Sequence, residues 1–107
     1  MLIYKILRAE EWAGLDASGV FEGSPADLAD GFIHLSAADQ VAGTAAKHFA
    51  GEAGLMLVAV EADGLGELRW EPSRGGALFP HLYRALKAGD VVWAKPLPDA
   101  AALKALP

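Results

Sequence analysis

The stretch Leu55-Met56-Leu57-Val58-Ala59-Val60-Glu61 decides the fold, because it is the clearest strand of the sequence. Its apolar residues follow one another without a break, which is typical of a central strand covered on both faces. Strands and short helices are mixed around it without a strict βαβ rhythm. The sequence therefore predicts an α+β fold in one domain, residues 1–107, with one sheet flanked by helices.

The other elements follow from apolar patterns and capping signals. We expect further strands at residues 2–7, 19–21, 32–36, 68–71 and 91–97, a strand or extended loop at 79–84, and helices at 9–15, 25–30, 37–50 and 98–106. Ser36 should cap the third helix and Gly51 should end it, with Val41, Ala45, His48 and Phe49 on its apolar face. Pro80 lacks a backbone N–H, so it should lie at an edge or a turn.

Composition restricts the classes of partner. The hydrophobic fraction of 53% and the charged fraction of 21% are typical of a folded globular domain. The net charge of −5 argues against a nucleic-acid partner, since binding phosphates requires a basic surface. The chain has no cysteine, which excludes disulfides and a thiol nucleophile. Neither a signal peptide nor an apolar run of about 20 residues is present, so we expect a cytoplasmic protein that binds no membrane.

The segment Arg69-Trp70-Glu71-Pro72-Ser73-Arg74-Gly75-Gly76-Ala77-Leu78-Phe79-Pro80-His81-Leu82-Tyr83 holds much of the candidate chemistry. It combines aromatic rings with a few charged groups, as the lining of a concave binding site does. In a strand, Arg69 and Glu71 share a face opposite Trp70. Either this is a solvated ion pair outside a core tryptophan, or Arg69 binds a phosphate or carboxylate and Glu71 binds a hydroxyl or acts as acid or base.

The end of this segment predicts an aromatic slot. His81 and Tyr83 share a face beside Phe79, so the three side chains could enclose a flat ring. The alternative is that Phe79 and Tyr83 simply pack and His81 is incidental. The loop around Arg74 could bring backbone amides and a guanidinium to a small anion, or it could be an ordinary glycine turn.

The second candidate segment is Gly31-Phe32-Ile33-His34-Leu35-Ser36. Alternation places Ile33 and Leu35 in the core, and directs His34 and Ser36 to solvent or to a cleft. His34 either orients a ligand or acts as a general base, two roles that an imidazole can take near neutral pH, or it only donates to a backbone carbonyl at a strand end.

A metal site is not expected. His34, His81 and Glu71 could converge on zinc or iron, but no metal-ligand spacing supports this. His48 lies on the apolar face of a helix, where we expect it to pack. Trp12 and Trp93 are expected in the core and no exposed apolar stripe is evident, so we expect a monomer.

The same segments resemble a known family. Residues 30–36 (DGFIHLS) and 79–83 (FPHLY), together with residues 4–6 (YKI) and 68–71 (LRWE), are similar to the domain of unknown function family 952 along essentially the whole chain. That family is grouped by fold similarity with the ADP-ribosyltransferase superfamily, whose members bind NAD in the cleft of a split sheet. The resemblance implies a central bent or split sheet and a nucleotide ligand, with NAD as a possible substrate.

The resemblance also implies roles for individual residues. His34 would match the early-strand residue that meets the adenosine ribose, Tyr83 or Phe79 the stacking ring, and Glu71 or His81 the late polar group. Strand alternation separately puts each pair of candidate side chains on one face of its strand, so we predict that one cleft is lined by His34, Ser36, Arg69, Glu71, His81 and Tyr83. A non-catalytic module that binds a small anionic molecule in this cleft is the alternative.

Overall fold

Two antiparallel sheets, joined by the chain at Leu35, form the frame of the molecule. The structure is a computed structural model that describes residues 1–103, without the side chains of Arg74 and Ala102. Its strands are β1 (Leu2–Leu7), β2 (Val20–Phe21), β3 (Ile33–His34), β4 (Ser36–Ala37), β5 (Ala53–Glu61), β6 (Leu68–Pro72), β7 (Leu78–Leu82), β8 (Leu86–Lys87) and β9 (Val91–Asp99). Its α-helices are α1 (Ala9–Ser18), α2 (Pro25–Asp30) and α3 (Val41–His48).

The large sheet has the strand order β4-β1-β5-β9, and β5 lies inside it between β1 and β9. Val58, Ala59 and Val60 of β5 are fully buried. One face of this sheet packs in a cluster with Leu15 of α1, and the other face packs against Val41 and Ala45 of α3. The predicted central strand and the α+β class are therefore confirmed.

The small sheet has the order β3-β7-β6, and β2 pairs separately with β8. The predicted single strand at residues 32–36 is divided, because β3 belongs to the small sheet and β4 to the large one. Leu35 lies between them, is 2% exposed, and donates its N–H to the carbonyl of Pro80 at 3.0 Å. This residue changes sheets, so the expected single sheet is split.

Pro80 lies in β7, the middle strand of the small sheet, and not at an edge as expected. Its carbonyl faces Leu35, and the N and C=O groups of one strand residue point to the same side. The missing N–H therefore faces the place where β3 has already ended. The proline is tolerated because no strand partner there requires its donor.

Three further expectations are corrected. Helix α3 begins at Val41 and ends at His48. Ser36 does not cap this helix, because Ser36 is paired with Tyr4 in the large sheet and Gln40 is the residue that precedes the helix. His48 is exposed and is not buried on an apolar helix face as expected. In place of a helix from Pro98, β9 continues to Asp99 and a 3₁₀ turn follows at Ala100–Ala102; residues 104–107 lie outside the described part of the chain.

Helix α2 has the predicted start. The Ser24 hydroxyl accepts from the N–H of Asp27 at 3.3 Å, and the Asp27 carboxylate accepts from the N–H of Ser24 at 2.9 Å. Pro25 occupies the first helical turn, and Gly31 ends the helix with a φ of 85°. Within residues 1–103, no helix is long and apolar enough to span a membrane.

Candidate functional site

One face of the small sheet carries the rings and charges that the sequence singled out. His81 of β7 lies opposite His34 of β3 on one side and opposite Arg69 of β6 on the other. Phe79 lies opposite Glu71 in the same register. Side chains directly opposite one another share a face, so the strand pairing brings these five residues together. On the other face of the sheet Ile33 and Leu82 are buried in the core, whereas Trp70 and Leu78, nearer its far edge, are exposed, so Trp70 is not the core residue that one interpretation expected.

His34 is held by a carboxylate that sequence reasoning missed. Asp27 of α2 accepts a hydrogen bond from the backbone N–H of His34 at 3.1 Å, and the same oxygen lies 2.6 Å from the ring Nδ1. The other ring nitrogen, Nε2, lies 2.9 Å from Oδ2 of Asp30. Both ring nitrogens thus face carboxylates, and the orientation of the imidazole is fixed.

Lys5 of β1 completes this group. Its Nζ lies 3.0 Å from Oδ2 of Asp27 and donates to the carbonyl of His34 at 3.0 Å. Asp27 is only 2% exposed. Burial opposes its ionisation, but the hydrogen bond from His34 and the charge of Lys5 outweigh burial and hold the pKa of Asp27 far below its usual value.

A second group forms around Glu71. Oε1 of Glu71 accepts from the Tyr83 hydroxyl at 2.6 Å and lies 2.9 Å from Nδ1 of His81. These two hydrogen bonds lower the pKa of Glu71, and the bond to Glu71 raises the pKa of Tyr83. The bond to Glu71 fixes the orientation of the His81 ring, whose side chain is only 6% exposed.

Phe32 joins the two groups. Its ring stacks on His81 at 4.0 Å and packs against His34 at 4.6 Å and Tyr83 at 5.2 Å, measured between ring centroids. The two imidazoles themselves are 5.6 Å apart. Phe32 thereby holds the spacing between two histidines that are each oriented by a carboxylate.

A pocket of about 490 Å³ lies beside these groups, where the large and small sheets separate. Strand β4 pairs only with Ile3 and Tyr4, so it does not cover the edge of β1 beyond Tyr4. The pocket occupies this gap, and its volume is within the range of small-molecule sites. Its charged and polar lining includes Lys5, Arg8, Asp27, Asp30, His34, Ser36, Thr44, Lys47, His48, Ser73 and His81, and its aromatic lining includes Tyr4, Phe49 and Phe79.

The predicted site residues divide around this pocket. His34, Ser36, Phe79 and His81 line it, whereas Tyr83 lines a second depression of about 230 Å³ together with Phe32. Arg69 and Glu71 line neither the pocket nor the second depression. The expected single cleft is therefore a pocket with an adjoining charged surface.

Two of the predicted ligand-binding residues, Arg69 and Ser36, already contact other side chains, and the side chain of a third is not described. The guanidinium of Arg69 lies 5.0 Å from the centre of the Tyr83 ring, a cation–π distance. Ser36 is buried, and its hydroxyl lies 2.8 Å from that of Thr44. The side chain of Arg74 lies outside the described part of the chain.

No group of three or more His, Cys, Asp or Glu side chains in the described chain is arranged to hold a metal ion. His34 and His81 each orient toward their own carboxylate instead of a shared point. That the protein requires no metal remains a prediction, which metal analysis of the purified protein would test.

Comparison with known proteins places the chain in a family. The sequence model described as Protein of unknown function (DUF952) matches residues 6–94. The chain belongs to the DUF952 family. A search of curated proteins gave no match.

Solved structures agree with this membership. The DUF952 chain is 59% identical to protein CC0527 from Caulobacter crescentus, whose crystal structure superposes with a TM-score of 0.86, covering 89% of this chain and 84% of that one. The solution NMR structure of CC0527 gives a TM-score of 0.82 at 59% identity, over 91% of this chain and 84% of that one. This likeness shows the fold and the family and does not show an activity.

The DUF952 sequence did contain signals for the missed residues. The sequence predicts Asp27 only as part of the helix at residues 25–30, although a carboxylate that caps with one oxygen has a second oxygen to offer. Lys5 interrupts an apolar strand whose other members from Ile3 to Leu7 are buried, and a buried lysine requires a paired charge. No sequence signal specified that the two would meet at His34.

Proposed function

We propose that this DUF952 domain binds a nucleotide, with NAD as the first candidate, in the pocket between the two sheets. The observation that supports this most is the pair of carboxylate-oriented imidazoles, His34 and His81, which line one pocket 5.6 Å apart. Two fixed imidazoles can donate to, or accept from, the oxygens of a ribose–phosphate unit.

The remaining lining suits the other parts of a nucleotide. Phe79, on the same strand as His81, offers an aromatic wall to the base. Lys47 also lines the pocket and provides positive charge for phosphates. Arg8 lines it too, but its guanidinium is paired with Glu52 at 2.8 Å. Arg69 was assigned to phosphate by the sequence, but its place over Tyr83 makes it a contributor to the adjoining surface. Tyr83 is likewise less suited than Phe79 to stack a base within this pocket.

The catalytic form of the proposal is ADP-ribosyltransferase-like chemistry. The N-glycosidic bond of NAD would break, with nicotinamide leaving with the bonding electron pair. An acceptor hydroxyl or amine would form the new bond to the ribose C1′ and pass its proton to Nε2 of His81. Glu71 would orient His81 through Nδ1. An ADP-ribosyltransferase-like fold is part of this proposal.

A non-catalytic binding module is the second candidate, and one observation favours it. Glu71 accepts from both Tyr83 and His81 and does not line the pocket. Asp27 is held by Lys5 and His34. Neither carboxylate is therefore placed to stabilise the positive charge that develops on the ribose when the glycosidic bond breaks.

A ligand screen separates these candidates. Thermal unfolding would be followed with NAD, ADP-ribose, AMP and adenosine, and nicotinamide release would be measured by chromatography. Stabilisation together with release supports the transferase, whereas stabilisation without release supports the binding module. An unchanged unfolding midpoint with every nucleotide contradicts the proposal.

Two variants of His34 sharpen the test. In His34→Asn the side-chain amide can replace Nδ1 as donor to Asp27 but cannot replace Nε2, while His34→Gln places its amide nearer the position of Nε2. If His34 contacts the ligand through Nε2, Asn should lose the ligand-induced stabilisation and Gln should retain part of it. Equal losses in both variants would indicate that His34 acts only through Asp27.

We further propose that the domain is a monomer. Sedimentation at micromolar concentration should give the mass of a single 11.2 kDa chain. A dimer that dissociates when the nucleotide is added would require a different site.

A further inference from the structure

His34 bridges two carboxylates that differ in their surroundings. Nδ1 faces Asp27, whose side chain is 2% exposed, and Nε2 faces Asp30, whose side chain is 55% exposed. Both bonds are satisfied together only when both ring nitrogens carry a proton, because a carboxylate accepts and does not donate. In this geometry His34 is therefore an imidazolium that is bound to one buried carboxylate, Asp27, and one exposed carboxylate, Asp30.

We propose that the Asp30 carboxylate occupies the binding position of a phosphate group, and that a phosphate-bearing ligand displaces Asp30 to bind Nε2 of His34. This inference rests on the proposed nucleotide function, which it refines by assigning His34 to phosphate and not to a ribose hydroxyl. Both His34 and Asp30 line the pocket, so the exchange takes place at its wall.

The charges around His34 favour such an exchange. Lys5 and the His34 imidazolium provide two positive charges, and Asp27 and Asp30 provide two negative charges, so the group is neutral as it stands. When Asp30 turns away, one positive charge is left uncompensated at the pocket. A phosphate carries up to two negative charges and three acceptor oxygens, and therefore replaces a single carboxylate favourably.

The structure around Asp30 does not require an acidic residue at this position. It is the last residue of α2, where a negative charge is unfavourable beside the partial negative charge of the helix end. The helix end is closed by the N–H of Gly31, which donates to the carbonyl of Asp27 at 2.9 Å. The described contact of the Asp30 carboxylate is with His34, and an exposed ion pair of this kind is weak and easily exchanged.

The test compares Asp30→Asn with a matched control. Asp16→Asn makes the same change of charge on the exposed face of α1, at a residue that lines neither pocket. Calorimetric titrations with AMP, adenosine and inorganic phosphate would be run on the wild type and both variants. We expect Asp30→Asn to bind AMP and phosphate about fivefold more tightly, the factor that corresponds to losing an exposed competing ion pair, and adenosine equally.

Asp30→Ala provides a second variant that leaves no side-chain acceptor near Nε2, and it should bind AMP at least as tightly as the Asn variant. Imidazole nitrogen resonances of the wild type provide a separate measurement. Phosphate should shift Nε2 of His34 and leave Nδ1, which stays with Asp27, nearly unchanged.

The outcomes distinguish the inference from the proposed function. If the wild type binds AMP but the Asp30 variants behave like Asp16→Asn, the displacement is wrong and nucleotide binding stands. If the Asp30 variants bind phosphate more tightly but no nucleotide stabilises the protein, the phosphate position stands and the nucleotide function is wrong. If no probe binds to any variant and the His34 resonances do not move, both are wrong.

Discussion

Nζ of Lys5 lies 3.0 Å from Oδ2 of Asp27, and both side chains are almost completely removed from solvent. A buried ion pair that loses one partner leaves an uncompensated charge, which costs about 3–5 kcal/mol of unfolding free energy. We therefore expect Lys5→Met and Asp27→Asn each to destabilise the fold strongly, as measured by urea denaturation. Lys95→Met, at an exposed lysine, is the control and should cost less than about 1 kcal/mol.

The double variant Lys5→Met/Asp27→Asn tests the coupling. It should be less destabilised than the sum of the two single variants, because no unpaired charge is left in the interior. Additive effects would show that the two side chains act independently.

The lowered pKa of Asp27 predicts acid sensitivity. Its carboxyl binds a proton less readily in the folded state than in the unfolded state, whose reference pKa is 3.8. The stabilisation is therefore complete above this value and is lost as the pH falls below it toward the folded-state pKa. The difference in unfolding free energy between wild type and Asp27→Asn should shrink between pH 6 and pH 2.5. A constant difference across this range would contradict the assigned shift.

The bond between Tyr83 and Glu71 predicts a shifted tyrosine. Glu71 accepts from the Tyr83 hydroxyl, so the pKa of Tyr83 is raised and its protonated form persists to higher pH. Glu71→Gln removes the negative charge and should bring the titration of Tyr83 to lower pH, as followed by the carbon resonance of the phenol ring. An unchanged titration of Tyr83 in Glu71→Gln would contradict this bond.

Two glycines with open surroundings should respond oppositely to alanine. Gly31 ends α2 in the left-handed region at a φ of 85°, whereas Gly14 lies inside α1; a Cβ at either position would meet no atom within 4 Å. Gly31→Ala should destabilise the domain by about 1 kcal/mol because of backbone strain, and Gly14→Ala should stabilise it by about 0.5–1 kcal/mol. Thermal unfolding measures both, and a stabilising Gly31→Ala would be inconsistent with this helix end.

The parts of the fold that were predictable depend on local signals. The apolar run of β5 and the Ser24–Pro25 start of α2 specify their own structure through burial and capping, without reference to distant residues. The change of sheet at Leu35 was not predictable, because it depends on which partners His34 and Ser36 find in other strands. The same reason explains why Pro80 was misplaced: its tolerance depends on where β3 ends.

The candidate site, like the fold, was predictable only where the signal is local. Strand alternation put Arg69 and Glu71 on one side of their strand and directed His34 away from the core, since the period of a strand is a local property. The pairing of β3, β7 and β6, which is not local, brought these side chains together with His81. Asp27, which orients His34, was not predicted as a site residue. Glu71, which orients His81, was predicted as a site residue, but its bond to His81 was not. Hydrogen bonds between residues far apart in sequence depend on the completed tertiary structure, which the pattern of a single chain does not contain.

The dual attachment of Asp27, to the start of α2 through Ser24 and to the ring of His34, has a consequence for natural variation. A change at this position would be removed by selection for folding whether or not the domain has a ligand, so an aspartate retained in relatives would carry no information about activity. Asp30 contacts the same ring from the solvent side and is free of that constraint. Its pattern of exchange among relatives would therefore record selection on the ligand, separately from selection on the scaffold.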